Sequence, residues 1–293
     1  MKHYITKGYI NGIIAAISYG TNPLFALPMY TNGLGVNSVL FYRYFFAVLI
    51  YGLWLKLYKK RDFKLTIKEY TILFILGIIF ALSSLFLFDA FNYLESGLAC
   101  TILFSYPLIV ALISRIIFKE RQPKTIWIAL FMVIAGIILL YGGNPKGNLS
   151  SRGIILVLLS ALSYAIYMVG VKEIKLIKHI KPDILAFYTM LFGLSIFMCN
   201  LKFCLELQPI NNLFVFGCAI LLALFPTIIS LETISIAIKI IGAVKTSIIG
   251  ALEPLTAIAF GLMLFGETMT YKIFCGILLI LLGVIVVIVH KKK

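Results

Sequence analysis

Apolar residues in this chain neither alternate nor form a single stripe. They run almost unbroken for about twenty positions at a time, between short polar or charged breaks. The runs fall at about 8–28, 36–56, 70–88, 96–118, 124–142, 153–172, 183–203, 212–235, 242–265 and 271–289. A helix that is apolar on every side has no face for water, and about 20 residues span the ~30 Å of a bilayer's hydrocarbon core. The pattern therefore predicts an all-α integral membrane protein with ten transmembrane helices. The first run follows Lys2 and Lys7 as a signal peptide would, yet it has no small-x-small cleavage site and contains Asn22-Pro23. It is expected to be a retained helix.

Composition agrees. Of 293 residues 62% are apolar and 13% charged, against roughly 45–50% and about 25% in soluble domains. An ordinary soluble fold, disorder, a coiled coil and a disulfide-stapled secreted domain are excluded on these numbers. Ten spans leave short loops and no room for a separate soluble domain. Five cysteines all lie in apolar runs with no CxxC spacing, and three histidines form no cluster, so no metal site, cofactor or catalytic centre is expected. The absence of a nucleotide-binding motif argues against ATP as the driving force.

A net charge of +15 would suit a nucleic-acid binder, but the positions of the basic residues say otherwise. With the N-terminus inside, cytoplasmic segments hold Lys2, Lys7, Lys56, Lys59, Lys60, Arg61, Lys64, Lys68, Arg115, Lys119, Arg121, Lys124, Lys172, Lys175, Lys178, Lys181, Lys239 and Lys291–Lys293. Lys146, Arg152, Lys202 and Lys272 fall outside, and Arg43 and Lys245 lie within spans. This asymmetry follows the positive-inside rule, puts both termini in the cytoplasm, and reports topology rather than a nucleic-acid partner.

The chain is also duplicated. A shift of 147 residues carries Pro107 onto Pro254, Leu108 onto Leu255, Phe118 onto Phe265, Glu120 onto Glu267 and Gly136 onto Gly283. A shift of 145 carries Ala16-Ile17-Ser18-Tyr19 onto Ala161-Leu162-Ser163-Tyr164. Two repeats, 8–142 and 153–289, thus hold five spans each. Five is odd, so the second repeat enters the membrane inverted, the recurrent plan of secondary transporters.

The stretch Ile241-Gly242-Ala243-Val244-Lys245-Thr246-Ser247-Ile248, with Leu252-Glu253-Pro254-Leu255 and Phe265-Gly266-Glu267, resembles the EamA family of the drug/metabolite transporter superfamily. Phe41-Tyr42-Arg43-Tyr44-Phe45-Phe46-Ala47 resembles that family's second span, and Tyr106-Pro107 with Lys119-Glu120 its fourth. The likeness runs from about residue 8 to 289. It implies export of small metabolites, amino acids prominent among them, through a cavity lined by spans one to four and six to nine. Spans five and ten would be peripheral.

Charged groups within spans usually face a cavity or a partner. Arg43 is a candidate anchor for a substrate carboxylate, since a guanidinium offers paired donors; its alternative is a structural tie within the bundle. Its repeat-matched position is the uncharged Tyr188. Glu253, just before Pro254, is a candidate site for a proton, a cation or a substrate ammonium, with Tyr106 as its counterpart before Pro107; holding two helices together is the other reading. Tyr19, Asn22, Tyr44, Tyr164 and Tyr188 complete the expected substrate-binding set. Pro107 and Pro254 are expected hinges. Glu232 and Lys245 flank the connection between spans eight and nine and could pair as an inner gate or as a static bridge. Glu120 and Glu267 are expected to cap helices, and Asp89, Asn92 and Glu95 to form a solvated loop.

These features together predict a secondary transporter of the cytoplasmic membrane of a bacterial cell, exporting amino acids or related metabolites by alternating access. Protons are a candidate coupling ion, and the protein is expected to be a monomer or weak homodimer in the bilayer. Export of drugs, nucleosides or phosphorylated sugars is the alternative, and a non-transporting scaffold is the alternative of another class.

Overall fold

The computed structural model of the protein describes residues 2–94, 99, 102–141, 150–264 and 271–289, and no β-strand occurs among them. Span one is two helices, α1 (Lys2–Gly20) and α2 (Asn22–Thr31). Spans two and three are α3 (Val36–Leu57) and α4 (Ile67–Ala90). The described part of span four is α5 (Tyr106–Ile116), and span five is α6 (Lys124–Tyr141). In the second repeat, spans six and seven are α7 (Ser151–Glu173) and α8 (Pro182–Asn200). Span eight joins α9 (Leu213–Ala223) to α10 (Ser230–Ile241) through a π-helical stretch at Leu224–Ile229. Span nine is α11 (Ala243–Ile249) followed by α12 (Leu252–Leu264), and span ten is α13 (Tyr271–Val289). The protein is an all-α membrane protein with a two-repeat architecture. Glu95, Cys100, Phe265 and Glu267 lie outside the described residues.

Local sequence explains where these helices begin. Thr66 accepts from the Glu69 backbone N–H while the Glu69 carboxylate accepts from the Thr66 N–H, a reciprocal cap that starts α4. Asn212 caps α9 through the Phe214 N–H at 2.9 Å, and Pro182 opens α8, where its missing donor costs nothing. Proline plays the same part in the broken spans. Pro23 lies in the first turn of α2 and Pro107 in that of α5. Pro254, two residues past the start of α12, follows the break in span nine. The expected hinges Pro107 and Pro254 therefore start half-helices rather than bend continuous ones.

Helix packing respects the duplication. Span one packs on span eight, and its counterpart, span six, packs on span three; span two packs on span seven and span five on span ten. Exchanging the repeats returns the same pairs, as a pseudo-two-fold axis requires. The matched glycines sit on the self-paired contact of spans five and ten. A Cβ at Gly136 would lie 2.8 Å from the Gly276 carbonyl oxygen, and one at Gly283 would lie 3.0 Å from that of Ala129. Gly8 and Gly12 likewise let α1 approach Ile240, Ile241 and Ala237 of span eight and Ile249 of span nine. Spans five and ten turn Ile128, Phe131, Phe274 and Ile285 outward, toward lipid.

Candidate functional site: two broken helices and a buried arginine

Span one breaks where Thr21 turns its hydroxyl back to the Ser18 carbonyl at 2.7 Å and Pro23 withholds a donor. Span nine breaks at Gly250-Ala251, between α11 and α12. The two breaks touch: a Cβ on Gly20 would lie 2.5 Å from the Glu253 carbonyl oxygen and 2.8 Å from Thr256 Cβ. Only glycine allows that approach. The Ala251 N–H bonds to the Ile248 carbonyl, leaving the Ser247 carbonyl to accept from the Tyr106 hydroxyl at 3.2 Å. That hydroxyl also occupies the space a Cβ on Gly250 would need. The break of span nine is thus built around Tyr106, which stands at the matching break of span four.

Glu253 is buried beside the Tyr106 hydroxyl, with Tyr19 and Tyr164 within electrostatic reach. The repeat-matched pair Tyr19 and Tyr164 stack at 6.2 Å with 9° between planes, and Tyr106 meets Tyr164 edge-on at 4.9 Å. Phe80 of span three closes on Tyr164, Tyr167 and Tyr44.

At the other end of this aromatic row lies Arg43, fully buried. Its Nε donates to Thr227 Oγ1 at 2.7 Å and Nη2 to the Pro226 carbonyl at 3.1 Å. The π stretch of span eight makes both acceptors accessible: Pro226 has no N–H for the Leu222 carbonyl, and the Thr227 hydroxyl donates to that carbonyl at 2.7 Å. The guanidinium carbon lies 5.8 Å from the rings of Tyr19 and Tyr44 and 5.5 Å from that of Phe88. Nη1 has no hydrogen-bond partner, and Arg43 makes no ion pair with a carboxylate among the described residues. Both side-chain amide atoms of Asn22 and the hydroxyl of Tyr30 are likewise buried without partners. They lie eight residues apart on α2, on the face that carries the buried Ala26, and Tyr30 is within electrostatic reach of Arg43.

The structure thus gathers Tyr19, Asn22, Arg43, Tyr44, Tyr106, Tyr164 and Glu253 from spans one, two, four, six and nine. Tyr44 holds Ser84 of span three at 3.0 Å. An apolar crevice of about 350 Å³ lies on the far side of α2, between it, Phe214 and Phe260. Tyr30, Thr227 and Phe88 were not expected from sequence. Tyr30 carried no repeat match, and Thr227 gains its position only through the π turn.

Tyr188 does not join this cluster. As inversion requires of the residue matched to Arg43, it lies near the opposite membrane face, where its hydroxyl donates to the Phe63 carbonyl at 2.7 Å and meets Tyr70 at 3.1 Å. Nor do Glu232 and Lys245 pair. Gly242, at φ 90°, turns the chain between α10 and α11, and Lys245 donates to the Tyr9 hydroxyl at 3.2 Å. Glu232 instead accepts from Lys59 at 2.7 Å. Lys59 also lies 3.6 Å from Asp183, which accepts from Arg61 Nη2 at 2.7 Å and Nε at 2.8 Å. Inner-side ion pairs therefore join the loop of one repeat to the other repeat, through basic residues that also follow the positive-inside pattern. Asp89 pairs with Asn92 at 3.3 Å, and Glu120 follows α5 in a loop entered through Lys119 at φ 53°.

Comparison with known proteins places these features in context. The EamA-like transporter family matches residues 6–142 and 151–289. The uncharacterized transporter YyaM of Bacillus subtilis (strain 168) is 25% identical over 283 residues, covering 93% of this chain and 91% of its own. An uncharacterized transporter of Archaeoglobus fulgidus is 29% identical over 193 residues, 66% of this chain and 67% of its own. The uncharacterized inner membrane transporter YedA of Escherichia coli (strain K12) is 26% identical over 197 residues, 67% of this chain and 63% of its own. A protein of solved crystal structure superposes with a TM-score of 0.78 over 96% of both chains at 16% identity, a likeness of fold.

Proposed function

This chain belongs to the EamA-like transporter family, and from that premise we propose that it exports amino acids across the cytoplasmic membrane of a bacterial cell by alternating access. One observation carries the substrate class: a fully buried guanidinium with an unpartnered Nη1 stands at one end of a row of tyrosines, with a buried carboxyl at the other. An amino acid presents a carboxylate and an ammonium, and these two ends complement it. Arg43 receives the carboxylate, with Asn22 and Tyr30 supplying further unpaired polar atoms. Glu253, Tyr106 and Tyr164 receive the ammonium, and Tyr19 and Tyr44 form the walls. Glu253 is also the group able to carry a coupling proton when no ammonium is bound.

Export of phosphorylated sugars fits less well. It asks for several convergent cations, and Lys245, the basic residue of span nine, is engaged by Tyr9.

The test is counterflow in proteoliposomes loaded with a mixture of amino acids. A charge-assisted hydrogen bond to an ionic partner contributes about 1.5–3 kcal/mol, so Arg43→Gln should weaken half-saturation roughly 10- to 150-fold. Glu253→Gln should abolish stimulation by a proton gradient. Failure of every amino acid to exchange, in protein that remains folded, overturns the reading.

A further inference from the structure

A second site lies at the inner membrane surface, away from the central cluster. A cavity of about 650 Å³ opens between the start of α4 and the 3-10 turn Lys175–Ile177 that follows α7. Lys68 and Lys175 line it from the two sides, and neither makes an ion pair or side-chain hydrogen bond among the described residues. The carboxylate on its wall is already engaged: Glu69 accepts from the Thr66 N–H at 2.6 Å and pairs with His179 at 2.8 Å. The cavity therefore presents two free ammonium groups and a carboxylate that has its own partners.

What lies beside the lysines defines the ligand further. Ile67 is 83% exposed and Leu176 51% exposed at the cavity mouth. One and two turns deeper on α4, Thr71, Phe74 and Ile75 are exposed on the same flank. The Thr71 hydroxyl is turned back onto the Ile67 carbonyl at 3.0 Å, leaving its methyl outward. A cationic mouth at the cytoplasmic boundary thus continues into an apolar stripe at the depth of acyl chains. A soluble anion would use the first feature and leave the second bare.

We propose that this cavity binds the headgroup of an anionic phospholipid of the inner leaflet. Its phosphate seats between Lys68 and Lys175, and its acyl chains lie along Ile67, Phe74 and Ile75. Two cationic contacts are the footprint of such a headgroup, and each is worth more at the edge of a low-dielectric membrane than in water. The site also joins the first repeat to the second, so a bound lipid braces α4 against the loop that leads into span seven.

The experiment follows thermal unfolding of the full chain in neutral detergent during titration with phosphatidylglycerol, phosphatidylcholine or inorganic phosphate. Phosphatidylglycerol should half-saturate at least tenfold below phosphatidylcholine, and inorganic phosphate should give no shift in the same range. In Lys68→Gln/Lys175→Gln the tenfold preference should fall below twofold, with unfolding in lipid-free detergent unchanged. A control, Lys119→Gln/Lys124→Gln, removes the same charge from another inner loop and should keep the preference. Equal half-saturation by the two lipids in the unaltered chain overturns the proposal. So does a stabilising effect of inorganic phosphate alone, or an equal loss of preference in the control.

Discussion

Two straps close this molecule, one at each membrane face. They are equivalent by sequence and different in chemistry. On the inner side the loop between spans two and three crosses onto the second repeat: Arg61 and Lys59 bind Asp183 and Glu232, and the Phe63 carbonyl takes the Tyr188 hydroxyl. On the outer side the loop between spans seven and eight crosses onto the first repeat. There the Gln208 side chain accepts from the Gly35 N–H at 2.5 Å and donates to the Gly33 carbonyl at 3.2 Å, while its backbone engages Ser38 and Tyr42. Phe63 and Gln208 are 145 positions apart, as are Ser38 and Asp183, the same shift that relates Tyr19 to Tyr164. The duplication kept the geometry of the strap, and among the described residues the ion pairs that join one repeat to the other lie on the inner face, the Lys202–Glu206 pair staying within the outer loop. A neutral hydrogen bond contributes about 0.5–1.5 kcal/mol, whereas removing one member of a buried ion pair costs about 3–5 kcal/mol. The inner strap is therefore the firmer lock, and the outer one the looser.

The largest effect is expected from Asp183→Asn. Its side chain is 5% exposed and serves both cations. Because Arg61 and Lys59 are partly exposed, the buried-pair figure is discounted to about 2 kcal/mol, roughly a 30-fold shift toward release of the inner strap. A cysteine at the buried Tyr51, in a chain with its five native cysteines replaced, reports this by its alkylation rate. An unchanged rate means that the ion pairs do not lock the inner face.

Gln208→Ala tests the other strap. It removes the two exposed amide contacts and leaves the backbone ones, so about 1 kcal/mol is at stake, a fivefold rise in alkylation of a cysteine at the buried Met29 of α2. A larger effect here than at Asp183 reverses the ranking of the two closures.

Sequence made the frame and the centre legible and left these straps hidden, for physical reasons. Ten apolar runs and a 145–147-residue shift describe local hydropathy and duplication, which survive in one dimension. Arg43, Glu253, Tyr19 and Tyr164 stood out because charge inside a span, or a repeat match between spans, is visible without contacts. Lys59 and Arg61 did not, since the positive-inside pattern already accounted for them, and their partners lie more than a hundred positions away. Proximity along the chain also misled: Glu232 and Lys245 are thirteen residues apart, but α10 and α11 are separate helices, and their side chains leave in different directions. The π turn around Pro226 has no hydropathy signal, so the anchorage of Arg43 on Thr227 could not be read.

The smallest effect belongs to Glu232→Gln, and it distinguishes a charge lock from a packing contact. Lys59 and Glu232 are 23% and 22% exposed, and Lys59 keeps Asp183 at 3.6 Å when Glu232 is neutralised. The loss should be about 0.2–1 kcal/mol, less than about fivefold in alkylation at Tyr51. Because the screening length falls from about 10 Å at 0.1 M salt to about 3 Å at 1 M, the difference between Glu232→Gln and the unaltered chain should shrink as salt is raised. The Gln208→Ala difference should not, since the Gln208 contacts carry no charge and the Lys202–Glu206 pair stays within its own loop. If salt erodes both differences alike, the contrast between a charged and a neutral closure fails; if it erodes neither, the Lys59–Glu232 contact holds the loop by shape rather than by charge.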